Sequence, residues 1–224
     1  MDRTELDKVL QDIQELKRSV RKANPFLRDI MGLRAYAALS LPLGVILLAD
    51  SLGTHFLIRA YGSFSSVPAI LKALCLGVFG LIVVLGWAVK WVVLDRRARE
   101  LREGANFLTV IKAMYGGQWF NLSGPLLLGM IVGSIFASVA GHPWLTIAIV
   151  AILFGPFCAT VAVVLDRFEY LYTGWYLTVT GLVALFFVEA APLVWLAIVW
   201  SGTFLVFGGC GLAATSRAAV RKLP

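Results

Sequence analysis

Charge is scarce in this sequence, and so are the residue patterns that usually carry catalysis. Only 15% of the 224 residues are Asp, Glu, Lys or Arg, there are two histidines, and the three cysteines form no Cys-x-x-Cys pair. An odd number of scattered thiols excludes a disulfide framework and offers no zinc-ligand spacing. Cys75, Cys158 and Cys210 follow Pro68, Pro143 and Pro192 by 7, 15 and 18 residues. On helices that places them roughly 10, 22 and 27 Å deep, so they do not converge on one metal. No Walker loop, His-Glu-x-x-His, Gly-x-Ser-x-Gly or paired-aspartate phosphotransfer motif occurs. No catalytic residue and no cofactor is therefore expected. The charged N-terminus has no short apolar run with a small-residue cleavage site, so no signal peptide is expected either.

What the chain has in abundance is hydrocarbon. Fifty-nine per cent of it is hydrophobic and its mean hydropathy is +0.84, far above an ordinary soluble domain. An integral membrane protein is expected. The net charge of +7 comes from basic residues crowded between apolar runs. A membrane surface accounts for that pattern, and no nucleic-acid partner is expected.

Six apolar segments fall at 35–57, 68–94, 121–140, 143–165, 175–190 and 192–213, each near the ~20 residues that cross a bilayer. The predicted fold is all-α: a polytopic bundle of six transmembrane helices in three hairpins, with an N-terminal cytoplasmic amphipathic helix. Residues 1–34 form the cytoplasmic lead, 35–213 the membrane domain with a cytoplasmic loop at 95–118, and 214–224 a basic tail. With the N-terminus inside, 18 of the 20 Lys and Arg lie on the inner side and only Arg59 and Lys72 lie outside. Both termini are thus expected in the cytoplasm.

The hairpins resemble one another. Each even span opens at a proline (Pro68, Pro143, Pro192), where a missing N–H is harmless in the first helical turn. Two of them end in Asp-Arg, at Asp95-Arg96 and Asp166-Arg167. Duplication of a hairpin and chance matching in apolar sequence both fit this pattern.

Polar residues inside the spans are few enough to treat one by one. Asp50, His55 and Arg59 do not make one site: nine residues on a helix is 900°, which sets Asp50 and Arg59 on opposite sides. A carboxylate in hydrocarbon wants a partner, and Lys72, at a comparable depth in the second span, is the expected one. Asp50, His55, His142 and Glu189 all fall at the outer face, where they form either a metal or proton site or a set of tolerated helix-end residues. In the third span Gly129, Gly133, Ala137 and Gly141 recur every four residues, a small-residue stripe for close helix packing, within the chain or between two copies.

Two cytoplasmic pieces complete the reading. In residues 4–24, Leu6, Val9, Ile13, Leu16, Val20 and Ala23 step by three and four. That register suits a short coiled coil, joining copies or binding a cytosolic protein, and equally an amphipathic helix lying on the bilayer. Beyond the second span, Arg96, Arg97, Arg99 and Arg102 suit anionic headgroups or a protein partner.

The layout of an amphipathic N-terminal helix, six short spans, a basic loop after the second and Glu169-Tyr170-Leu171-Tyr172-Thr173-Gly174 before the fifth resembles small six-span bacterial membrane proteins of unassigned function. The hairpin pattern is similar to that of the acid-resistance membrane proteins of the HdeD type. The resemblance covers the whole chain in layout, carries no diagnostic motif, and implies an inner-membrane protein without catalytic residues. Lys72 within the second span and the long charged N-terminal helix depart from that pattern. Three functions stay open: a non-enzymatic adaptor, sensor or regulatory module, a small transporter or channel using Asp50 and Lys72, and an interfacial lipid-modifying enzyme.

Overall fold

The computed structural model describes residues 34–101, 104, 106, 108, 109, 118–165 and 167–220. The expected N-terminal helix, and with it the coiled-coil register of residues 4–24, lies outside the described residues. Regular structure in the described part is entirely helical. Helix α1 spans Arg34–Tyr61 and a short 3₁₀ turn Phe64–Ser66 leads to α2, Ala69–Leu101. Then come α3, Gln118–Val139, α4, Leu145–Leu165, and α5, Phe168–Phe187. The last run comprises α6, Pro192–Leu196, a π-helical turn, Ala197–Ser201, and α7, Gly202–Val220. Five helical runs are long and apolar enough to cross a membrane, and Gly124–Val139 within α3 is a shorter apolar one.

Boundaries follow local chemistry. Pro192 begins α6 at a position where no N–H is needed. Between α3 and α4 the chain turns through Gly141, whose φ is +84°. His142 N–H donates to the Ala137 carbonyl at 2.9 Å and Gly141 N–H to Ser138 at 3.2 Å, the two bonds of a Schellman cap. Gly141 is thus a turn residue, and the packing stripe expected to include it ends at Ala137. The fifth helix begins at Phe168, seven residues before the expected 175. Its first turns look polar in sequence, yet Thr173 donates its hydroxyl to the Glu169 carbonyl at 2.7 Å and is buried. Such back-bonding lets hydroxyls enter an apolar helix without an orphan donor, and Ser40, Thr178 and Thr180 do the same.

Packing arranges the helices in a row: α3 on α4, α4 on α5, α5 on α7, α7 on α1, and α1 on α2. The tightest junction is α4 with α5, where Gly155 and Gly174 face each other. Around it Ile147, Ala148, Ala151, Cys158, Leu177, Ala184, Val188 and Val199 form the core. Gly129 and Gly133 bring α3 onto α4: a Cβ at Gly133 would stand 2.8 Å from the Ile149 side chain. Gly208 and Gly211 do the same for α7 against Leu41 and Ala37 of α1. Helix α2 stands apart, with α1 as its main neighbour among the described elements.

Candidate functional site

The looseness of α2 leaves a slot between it, α1 and the last run. One cavity of about 670 Å³ reaches from Tyr36 and Ser40 along α1, past Phe79 and Gly86 of α2 and Trp200 of the π turn. A second, of about 310 Å³, is lined by Asp50, Ser51 and Thr54 of α1, with Ile58, Phe64 and Trp144 among the rest. Both are bounded by Phe79 and Leu196, so the two cavities adjoin along the same face of α1. From Tyr36 to Ile58 is 22 helical steps, or about 33 Å, close to the ~30 Å of a bilayer core.

The slot has a local cause. Pro42 in α1 cannot donate to the helix ladder, and Gly86 in α2 offers no side chain to fill the gap, its nearest neighbour being Leu43. The walls are apolar and aromatic, and the polar groups stand at the two ends. At one end is the Tyr36 hydroxyl, buried without a hydrogen-bond partner among the described residues. Toward the other is Asp50, next to Ser51, which is 2% exposed and whose hydroxyl also has no partner among the described residues. Trp144 and Leu193 line this second end, so all three hairpin turns gather there.

Each residue singled out from the sequence can now be placed. Asp50, His55 and Arg59 lie on the single helix α1. Among the described residues no ion pair joins Asp50 to Lys72: the Lys72 ammonium donates to the Ser65 carbonyl at 2.6 Å and sits 5.8 Å from the Phe64 ring centre. The reason is local, since the 3₁₀ turn Phe64–Ser66 presents a bare carbonyl and a ring face within one side chain's reach of Lys72. Of the four outer-face residues, His142 and Glu189 meet at 2.6 Å and tie the second hairpin turn to the third. The four do not form one ligand set, and no group of three or more metal-ligating side chains occurs among the described residues. Arg99 pairs with Asp95 at 2.7 Å one turn earlier in α2, and Arg96 is exposed. The side chains of Arg97 and Arg102 lie outside what is described.

Two features had no visible signal in the sequence. Tyr176 of α5 donates its hydroxyl to the Ile198 carbonyl at 2.6 Å, inside the π turn. Gly202, which ends that turn by donating to the Ala197 carbonyl five residues back, lies flat against the Tyr176 ring. The Ile198 carbonyl shares the Gly202 N–H with its neighbours in the turn, and the tyrosine hydroxyl adds a second donor to it. The free thiols Cys75 and Cys158 are buried and Cys210 is half-buried, with only Cys75 lining the slot. No protein-family model, no curated protein and no solved structure matches the chain.

Proposed function

We propose that this chain is a non-enzymatic, six-span protein of a bacterial inner membrane, with both termini cytoplasmic, acting as an adaptor or sensor. Its cytoplasmic N-terminal helix holds a cytosolic partner or a second copy. The observation that carries this reading is the continuity of α2, 33 residues without a break from Ala69 to Leu101. At 1.5 Å per residue that is about 50 Å, some 20 Å longer than the bilayer core. One rigid rod therefore joins the slot wall at Cys75 and Phe79 to the exposed, charged turn at Asp95 and Arg99. Anything that moves α2 at the slot moves the basic segment beside the membrane surface.

The lining of the slot supports the same reading, since it gathers one acid, four hydroxyls and a thiol with no imidazole or amine beside them. The transporter alternative is favoured by one observation, that the two adjoining cavities together run about the thickness of a bilayer core and carry a carboxylate in their wall. The test is a crosslinked pull-down from native membranes, comparing the full chain with one lacking residues 1–30. A soluble protein held by the full chain and lost on deletion supports the adaptor. Recovery of neither partner nor second copy in both cases, together with solute flux through proteoliposomes that Asp50→Asn abolishes, would replace it with the transporter.

A further inference from the structure

Asp50, Ser51 and Thr54 project from one turn of α1 into an apolar, aromatic slot. Among the described residues Asp50 makes no ion pair, and the Ser51 hydroxyl, 98% withdrawn from solvent, makes no hydrogen bond. A carboxylate in hydrocarbon without a cation is costly, and a buried hydroxyl without a partner adds to that cost. The partner expected from the sequence, Lys72, is held by Ser65 and Phe64.

We propose that the slot binds a single-chain amphiphile bearing a primary ammonium, with its headgroup on Asp50, Ser51 and Thr54 and its hydrocarbon tail lying toward Tyr36. Three acceptor groups within five residues of α1 match the three N–H donors of a primary ammonium. Phe79 and Trp144 line the same end, aromatic residues of the kind that attract a cation. From Asp50 to Tyr36 is 14 helical steps, about 21 Å of apolar wall, which exceeds the ~15 Å depth of one leaflet and accommodates a long tail. A phosphate-bearing lipid suits the slot less, because no cation among the residues lining the Asp50 end could meet its phosphate. The ligand so defined is what the sensor proposed above would sense, and the inference rests on that protein being embedded in the membrane.

The full chain in phosphatidylcholine nanodiscs should bind dodecylammonium in equilibrium dialysis above the level of empty discs. Dodecyltrimethylammonium, with charge but no N–H, should bind several-fold more weakly, and dodecanol should not exceed empty discs. Asp50→Asn should weaken dodecylammonium binding about tenfold or more, the loss of one charge-assisted contact. Gly86→Leu, which fills the slot from α2 and favours the helix, should abolish binding while the protein stays monodisperse. Equal binding of the three probes, no binding above empty discs, or an unchanged affinity in Asp50→Asn would overturn the proposal. Alkaline extraction of the chain from membranes would instead sink the membrane reading beneath it, and loss of the cytosolic partner alone would leave the slot's chemistry standing.

Discussion

Gly155 and Gly174 meet backbone to backbone: a Cβ on Gly174 would stand 2.6 Å from the Gly155 carbonyl oxygen, and one on Gly155 would stand 2.7 Å from that of Gly174. No rotamer relieves a collision with backbone, so α4 and α5 would have to separate along a junction that also carries Thr178 and Ala159. Gly174→Ala should destabilise the bundle by about 1–3 kcal/mol, the range for overpacking a tight contact. Gly53→Ala, on a helix position with open space, should lie within about 1 kcal/mol of the native chain or slightly above it. Thermal unfolding in detergent distinguishes the two. Equal melting temperatures would mean that α4 and α5 do not cross at these glycines.

Tyr176 and Gly202 form a second junction, this time across the π turn. Tyr176→Phe removes one hydrogen bond to the Ile198 carbonyl and should cost about 1 kcal/mol. Gly202→Ala drives a methyl group into the tyrosine ring and should cost more. Because both changes act on the same contact, Gly202→Ala combined with Tyr176→Ala should be less damaging than the sum of Gly202→Ala alone and Tyr176→Ala alone. A double-mutant cycle on unfolding midpoints measures that coupling, and strict additivity would remove the contact from consideration.

The His142–Glu189 pair links two hairpin turns, but its side chains are 54% and 50% exposed. Solvent screening at that exposure limits the pair to about 1 kcal/mol or less. Glu189→Gln should therefore leave the fold intact and shift the unfolding midpoint only slightly, with the effect shrinking in high salt. A loss of several kcal/mol would mean that the carboxylate has a larger role than joining two loops.

Orientation is testable with thiol chemistry. On a background with Cys75, Cys158 and Cys210 changed to serine or alanine, Ser65→Cys should react with a membrane-impermeant maleimide in intact cells. Glu100→Cys should react only after lysis, because positive charge holds the α2 extension inside. Both positions are exposed. The opposite labelling pattern would invert the topology and place Asp50 in the inner leaflet.

How much of this was legible in the sequence depends on the range over which each signal acts. Apolar run length located α1, α3, α4 and the start of the last run to within a few residues, because membrane thickness acts on each segment by itself, while the last helix runs to Val220, seven residues past the expected 213. Beyond 94, where the second span was expected to end, Ala98 and Leu101 continue an apolar side at helical spacing, and α2 runs on through them to Leu101. The start of α5 was not: Glu169, Tyr172 and Thr173 read as loop, and only the backbone bond of Thr173 and the pocket for Gly174 against Gly155 make them helix.

Composition and periodicity by themselves determined that this protein is helical, apolar and poor in polar groups, because those properties depend on residues near in sequence. Tertiary structure alone decided which polar groups meet. Lys72 turns to Ser65 rather than to Asp50, His142 finds Glu189 but neither Asp50 nor His55, and Gly141 serves a turn rather than a helix face. Each outcome depends on the rotation of one helix about its axis and its depth relative to the next. Those quantities are set by close contacts such as Gly155 on Gly174 and Gly208 on Ala37, and they have no counterpart in the hydropathy of any single segment.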